Sequence, residues 1–217
     1  VEEGLAIQFG EYFPYDRDDM VVDWYVSQKT EQTQSVCVVA CKKGFVEQIL
    51  TVAKKCGIQV DRIESRSMSI ARATLPQPKK NEAALLIAIE ASVASFAICD
   101  ERGMHMTSLL DIQGNVFADT IIVEAKRLMQ YAEVTLAKNI AVIYLCGSAS
   151  FVKGVDEYYV QQMQRSVVRG DVLRRLRHHH LFGDGDGAWV YTNAVGLALG
   201  SVYPKRRVFY NFLQKSL

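Results

Sequence analysis

The sequence predicts a mixed α/β (α+β) protein with two lobes, and two observations carry this prediction. Two apolar runs, Ala83–Ile89 and Val93–Cys99, are separated by a Glu-Ala-Ser insert. Runs of this length suit a buried β-hairpin better than a helix. Upstream of them, Leu75–Asn81 carries two of the four prolines and is the best candidate boundary. We therefore expect a first lobe at residues 1–75, a second lobe at 76–203 and a C-terminal tail at 204–217.

Composition excludes several classes of function. The 217 residues carry a formal net charge of +1, and the charges are well mixed, so there is no electrostatic case for nucleic-acid binding. We find no signal peptide and no apolar stretch of about 18 residues that could span a bilayer. The five cysteines form no Cys-x-x-Cys pair and lie mostly among apolar residues, which predicts buried, reduced thiols in a cytoplasmic protein. Because the chain begins at Val1 without a methionine, we expect a fragment of a longer protein.

The first lobe is predicted to begin with a short amphipathic helix. Leu5, Phe9 and Phe13 are spaced four residues apart within residues 3–13, which places them on one helical face, and Pro14 ends the helix. The elements expected after it are strands at Val22–Val26, Ser35–Ala40 and Ile58–Ile63, with helices at Phe45–Cys56 and Ser67–Ala73. The lobe is therefore expected to be a compact strand–strand–helix–strand unit.

The longer helix of this lobe is predicted from its apolar periodicity. Apolar residues at i, i+4, i+7, i+8 and i+11 should form its buried face: Phe45, Ile49, Val52, Ala53 and Cys56. Gly57 should end the helix, since glycine is common at the position after the last turn.

The second lobe is predicted to continue the hairpin with strands and helices. The elements expected are a strand at Met104–Ile112, a long helix at Phe117–Ala132, a strand at Ile140–Cys146, a helix at Val155–Met163 and a last helix at Trp189–Val202. Gly147 should bend the chain directly after the strand Ile140–Cys146.

Several stretches, in the same order along the chain, resemble sequence blocks of one protein family. Phe9–Trp24 resembles its opening block, Glu-x-Tyr-Ile-Pro-Phe followed by acidic residues and Val-x-Asp. Glu124–Tyr131 is similar to its Glu-x-x-Arg-Ser-Leu-x-Tyr helix. Leu145–Gly154 resembles its adenosine motif, Gly-Gly-x-Ala-x-x-x-Gly, and Gly196–Gly200 its final helix. This is the PilM family of type IV pilus assembly, with its relatives HofM, MshI and the cytoplasmic part of GspL in type II secretion.

The resemblance implies the actin-like ATPase fold, which is made of ribonuclease H-like lobes. The family's opening strand and first phosphate loop have no counterpart here, so a degenerate fold lacking its N-terminal part is expected. The resemblance also implies a cytoplasmic adaptor at the inner face of a bacterial inner membrane. Its partners would be assembly proteins of a pilus or secretion machine, namely a PilN-like membrane protein and an assembly ATPase. The alternative is an active, ATP-binding ATPase of the same fold.

The resemblance also locates a nucleotide site, which this sequence has altered. The family's second phosphate loop carries an Asp-x-Gly pattern, whose Asp and Gly positions correspond to Ala88 and Glu90. A carboxylate near a phosphate is repelled, and the open glycine backbone is lost. The residues that could still border a nucleotide are Glu90, Ser92, Gly147 and Ser148, the last replacing a glycine of the adenosine motif. The other interpretations are a structural turn at Glu90 and a simple bend at Gly147. We expect no cofactor, with ATP and Mg²⁺ as the alternative.

No other segment predicts catalysis or metal binding. No Ser/His/Asp or Cys/His set indicates a nucleophile. His178, His179 and His180 could be combined with Asp184 and Asp186, but consecutive side chains diverge and rarely meet at one ion. The arginines between residues 165 and 177 fit a solvated helix face, with anionic lipid or an acidic partner as the alternative.

The tail carries a segment that resembles a partner motif. In the PilM family a partner's cytoplasmic N-terminus carries Ile-Asn-Leu-Leu, and in GspL-like relatives Asn-Leu-Leu-Gln belongs to the same chain. Tyr210, Asn211, Phe212 and Leu213 are similar to that segment. We therefore expect Tyr210, Phe212 and Leu213 to be buried on the protein's own body, with Asn211 bonded to backbone. A frayed terminus is the other interpretation. A membrane segment after Leu217 and homo-oligomerisation stay open.

Overall fold

The computed structural model describes residues 2–29, 33–74, 81–90, 92–100, 103–112, 117–147, 152–170, 188–202 and 210–213. The chain divides into two compact units, Val1–Glu64 with Val208–Leu217 and Ser65–Arg207. The division falls after Glu64 because the next helix packs against helix and sheet of the second unit. The lobe boundary that the prolines suggest, near residue 75, stays a prediction.

The first unit is built on a two-stranded antiparallel sheet. Its elements are α1 (Glu2–Tyr12), β1 (Met20–Lys29), β2 (Gln34–Lys42) and α2 (Lys43–Lys55). Phe9 of α1 packs with Met20 and Val22 of β1 in a small core that Val38 and Phe13 extend. The amphipathic spacing of α1 therefore places its aromatic residues on the sheet, as predicted.

The second unit is built on a five-stranded mixed sheet in the order β5-β4-β3-β6-β7. Its strands are β3 (Glu82–Ile89), β4 (Val93–Cys99), β5 (Met104–Asp111), β6 (Asn139–Cys146) and β7 (Ser166–Arg169). Its helices are α3 (Arg66–Thr74), α4 (Phe117–Thr135), α5 (Val155–Met163) and α6 (Thr192–Val202). The β3–β4–β5 meander is antiparallel, while β6 and β7 continue the sheet in parallel with β3.

Both faces of the central strand β3 are covered, which explains its continuous apolar run. Leu85, Ile87 and Ile89 join a core with residues of α4. The alternate residues Ala84 and Ala88 are also buried, and the small side chains leave room for α3, which contacts β3.

Helices α3 and α6 pack closely because glycine lies at their crossing. A Cβ on Gly196 would clash with the backbone of Ser69, and the Arg72 guanidinium donates to the Gly196 carbonyl at 2.9 Å. Arg72 is only 3 % exposed, so this hydrogen bond partly compensates for burying its charge.

Three sequence predictions about these elements are wrong. Ile58–Ile63 forms no strand, because the polar groups of Asp61 and Ile63 bond the C-terminal segment instead. On α2 the buried residue is Val46, while Phe45 and Val52 are 58 % and 61 % exposed. Cys56 is exposed, and Cys37 and Cys41 are half-buried, so only Cys99 and Cys146 fit the predicted buried thiols.

One strand escaped prediction. The sequence predicts a solvated helix face for the arginines that begin at Arg165, but Ser166–Arg169 form the strand β7. Arg165 donates to the Ile140 carbonyl at 3.0 Å, and Arg169 pairs with Asp156 of α5 at 2.8 Å. Four residues are too few for an alternating pattern to distinguish a strand from a loop.

Candidate functional site

The predicted nucleotide residues gather at the carboxyl edge of the second unit's parallel strands. Glu90 follows β3 and Gly147 follows β6, and these strands pair through Ala88 and Cys146. In open α/β sheets ligands bind outside this edge. The structure therefore brings Glu90 and Gly147 together, while Ser148 and Ala91 lie outside the described residues.

Gly147 is required here for packing. Its φ of +88° is a left-handed conformation that glycine adopts without strain. A Cβ at this position would clash with the Ile89 carbonyl oxygen and lie 2.9 Å from the Ile89 nitrogen. The absent side chain therefore lets the end of β6 approach the backbone of β3.

Backbone hydrogen bonds hold the residues that flank the β3–β4 connection. The Glu90 N–H donates to the Val93 carbonyl at 2.9 Å, and the Ser92 carbonyl accepts from Ile112 N–H at 2.7 Å. Ser92 is exposed and Glu90 is half-buried. The Glu90 N–H is thus used within the β3–β4 hairpin, and the Ser92 carbonyl is used by Ile112 after β5. The Glu90 carboxylate adds negative charge at this edge of the sheet.

Cys146, at the end of β6, shows how closely this edge is packed. Burial raises the pKa of its thiol to about 12, and the negative charge of Glu90 also raises it. Hydrogen bonds with the Thr192 side chain and the Gly170 backbone act in the opposite direction and lower this pKa. A Cβ on Gly170 would lie 2.6 Å from the Cys146 sulfur. The thiol therefore stays protonated at neutral pH and is not a nucleophile.

The C-terminal segment is held in the first unit through Asn211. The side-chain oxygen of Asn211 accepts from Ile63 N–H at 3.0 Å, and its amide nitrogen donates to the Asp61 carbonyl at 3.2 Å. The Asn211 backbone N–H donates to the Asp23 carboxylate at 3.0 Å. Its side-chain oxygen also accepts from Leu213 N–H at 3.1 Å. The amide side chain thus meets two backbone donors and one backbone acceptor, and Asn211 is only 2 % exposed.

Neighbouring residues extend this contact, which we call the Asn211 cradle (Asp23, Asp61, Arg62 and Ile63). Phe212 N–H donates to the Ile63 carbonyl at 2.9 Å, and Arg62 donates to the Tyr210 carbonyl at 3.3 Å. Tyr210 and Phe212 are 2 % and 8 % exposed, and their rings lie 5.2 Å apart. Leu213 is half-buried. Backbone pairing and two buried aromatic rings therefore act together over four residues.

The sequence analysis identified the four tail residues but not the residues of the first unit that bind them. Asp23 is 6 % exposed within β1, and besides Asn211 it accepts from Trp24 N–H at 2.8 Å. The available signal was an acidic residue between the apolar Val22 and Trp24. A buried carboxylate needs hydrogen-bond donors, so its position in a strand indicated a partner.

The remaining sequence candidates concern metal binding and membrane spanning. No group of three or more potential metal ligands occurs among the described residues, and the His178–His180 segment lies outside them. Within the part of the chain that the structure describes, no helix is long and apolar enough to cross a membrane.

Comparison with known proteins identifies the fold of this chain. No protein-family model matches the chain. The cell division protein FtsA of Pseudomonas aeruginosa is 26% identical over 114 residues, which are 52% of this chain but only 26% of that protein. The PilM-PilN type IV pilus biogenesis complex contains a chain with a TM-score of 0.75 at 15% identity, covering 94% of this chain and 72% of that one.

Two further solved structures share the architecture at lower similarity. MreB5 of Spiroplasma citri bound to AMPPNP has a TM-score of 0.51 at 11% identity, covering 77% of this chain and 67% of that one. The ethanolamine utilization protein EutJ from Carboxydothermus hydrogenoformans has a TM-score of 0.50 at 12% identity, covering 70% and 60%. The predicted resemblance is confirmed for the fold: this chain has the actin-like ATPase fold, and it shares nearly all of its described architecture with a PilM-type chain.

Proposed function

We propose that this chain is an actin-like adaptor of a pilus or type II secretion assembly platform. It acts at the cytoplasmic face of a bacterial inner membrane, where it binds a PilN-like membrane protein and contacts the assembly ATPase. It uses no nucleotide. The similarity to a pilus biogenesis chain over 94% of its length supports the choice of machine.

The Asn211 cradle is the observation that carries the adaptor role. It binds a short segment, which turns at Phe212 and Leu213, through hydrogen bonds with the Ile63 backbone and through the Asp23 carboxylate. Main-chain recognition with a few buried side chains is how adaptor domains hold peptides. Here the segment is the chain's own, so the tail occupies the cradle as an internal ligand.

The geometry at the carboxyl edge of the second unit's parallel strands favours an adaptor over an ATPase. Phosphoryl transfer needs a carboxylate that positions Mg²⁺ and backbone donors around the phosphates. At this edge the Glu90 N–H is bonded to Val93, and Gly147 is packed on Ile89. The negative Glu90 side chain further disfavours a phosphate.

Removal of the tail tests the role of the cradle. A chain that ends after Lys205 should melt at a lower temperature than the full chain, because it loses the buried Tyr210 and Phe212 side chains. A synthetic peptide with the sequence of residues 208–217 should restore the melting temperature, and the same peptide with Ala in place of Asn211 should not. An unchanged melting temperature, with no peptide binding, would refute the docking role.

Affinity capture tests whether the chain binds components of a pilus or secretion assembly machine. The tail-truncated chain, with the cradle empty, should recover inner-membrane assembly components from solubilised membranes more efficiently than the full chain. Mass spectrometry should identify a PilN-like protein among them. Recovery of the same proteins by a truncated chain that also carries Asp23→Ala would show that they bind elsewhere.

A further inference from the structure

A cavity in the first unit lies between α1 and β2, a strand at the edge of its sheet. Its volume is about 530 Å³, within the range of sites that hold ligands. Leu5, Phe9 and Tyr12 line it from α1, and Gln34, Val36 and Val38 line it from β2. It lies on the face of the sheet opposite Asp23, because strand neighbours alternate and Val22, not Asp23, packs under α1.

The β2 side of this groove has the properties of a strand that accepts another strand. Among the described residues β2 pairs only with β1, so its outer edge has no strand partner there. Residues 34–41 contain no charge and no proline, which are the usual devices that protect an edge.

The lining of the groove specifies what would fit. The three β2 residues are two apart, so they share one face, and the α1 residues at i, i+4 and i+7 face them. From residue 34 to residue 38 the strand extends about 13 Å, which matches an extended segment of about five residues. No lining residue is charged, so a charged side chain would lose its hydration without gaining a partner.

We propose that the α1–β2 groove is a strand-addition site for an extended, uncharged segment of a partner protein. The segment pairs with the outer edge of β2 and places aliphatic side chains at alternate positions between Tyr12 and Val36. This site is separate from the Asn211 cradle and goes beyond the proposed function, because an adaptor with two sites can hold two chains.

Fluorescence anisotropy with a labelled Thr-Val-Thr-Val-Thr-Val-Thr peptide tests this site on the full chain. The peptide should bind, and hydrogen exchange in residues 34–42 should slow in its presence. The same peptide with N-methylated backbone amides should bind at least about tenfold more weakly, because it cannot form the strand hydrogen bonds. Equal binding by the two peptides, or no binding by the parent at about 1 mM, would overturn the proposal.

Variants separate this groove from other surfaces. Tyr12→Lys places a charge in the groove at a residue that is 68 % exposed, so the fold should tolerate it, and peptide binding should fall about tenfold. Val134→Lys adds the same charge to α4, where Val134 is 77 % exposed, and should leave binding unchanged. Equal effects of the two variants would contradict the proposal. So would a dimer of the chain, detected by light scattering, that Tyr12→Lys abolishes and the peptide does not compete with.

Discussion

Acidic residues have different roles in the Asn211 cradle of the first unit and at the carboxyl edge of the second unit's sheet. In the cradle, Asp23 is buried and accepts N–H groups from Trp24 and Asn211. At the sheet edge, Glu90 is half-buried and raises the pKa of the Cys146 thiol. The cradle is therefore organised around hydrogen bonds to a chain segment.

Glycine accounts for the rest of the difference. At the sheet edge, Gly147 and Gly170 let the backbone and the Cys146 sulfur pack where side chains would clash. The absence of a side chain at these two positions is therefore what allows the close packing. The comparison indicates that close packing at glycines defines one region, whereas an acidic side chain that accepts hydrogen bonds defines the other.

The largest expected effect comes from Gly147→Ala. The new Cβ would clash with the Ile89 carbonyl at a φ of +88°, so the variant should lose about 3 kcal/mol of unfolding free energy. Urea denaturation measures this loss. Gly44→Ala is the matched control, since Gly44 lies in α2 with nothing within 4 Å of its added Cβ and should be neutral or slightly stabilising. Similar values for both would mean that close packing is not what defines the sheet edge.

The second effect comes from Asn211→Ala. It removes the partners of Ile63 N–H and the Asp61 carbonyl and should cost about 2 kcal/mol. Hydrogen exchange should report faster opening of the first unit, with the second unit unchanged. Asn193→Ala, at an exposed site on α6, should have little effect. Faster exchange in both units would contradict a role confined to the cradle.

A smaller effect is expected from acid. The hydrogen bond from Arg127 lowers the pKa of Glu124 in the second unit. Because the folded pKa lies below the unfolded value, the stabilisation is present at neutral pH and is lost as the pH falls through the folded value, below about pH 4. Since Arg127 is 53% exposed, the pair should contribute only about 0.5 kcal/mol.

Glu124→Gln should remove this acid-dependent part of the stability, as measured by thermal melts between neutral and acidic pH. Glu47→Gln, on the exposed side of α2, provides the control. If both variants keep the dependence of the native chain, the Glu124–Arg127 pair does not contribute to it.

The smallest expected effect is that of Mg-ATP on the full chain. The Glu90 charge and the packed glycines should leave any dissociation constant above about 10 μM, or about −7 kcal/mol. Titration calorimetry measures it. Glu90→Gly combined with Ala88→Asp should not create ATPase activity, because Gly147 would remain packed against the Ile89 backbone. Tighter binding by the native chain would favour the ATPase alternative.

The sequence by itself determined the elements whose patterns are long and local. The continuous apolar runs of β3 and β4 predicted the hairpin, and the periodicity of Phe117–Ala132 predicted α4, because burial forces a regular spacing on long elements. The stretches that resemble the PilM family, taken in their order along the chain, were enough to predict the actin-like fold.

Only the tertiary structure decided which polar groups meet. Asp100 pairs with His105 and Lys138, and Asp23 with Asn211, although nothing in the local sequence selects these partners. The same holds for Ile58–Ile63, whose residues favour a strand in isolation. Ile63 instead pairs its backbone with Asn211 and Phe212, because a segment nearly 150 residues away supplies the hydrogen bonds.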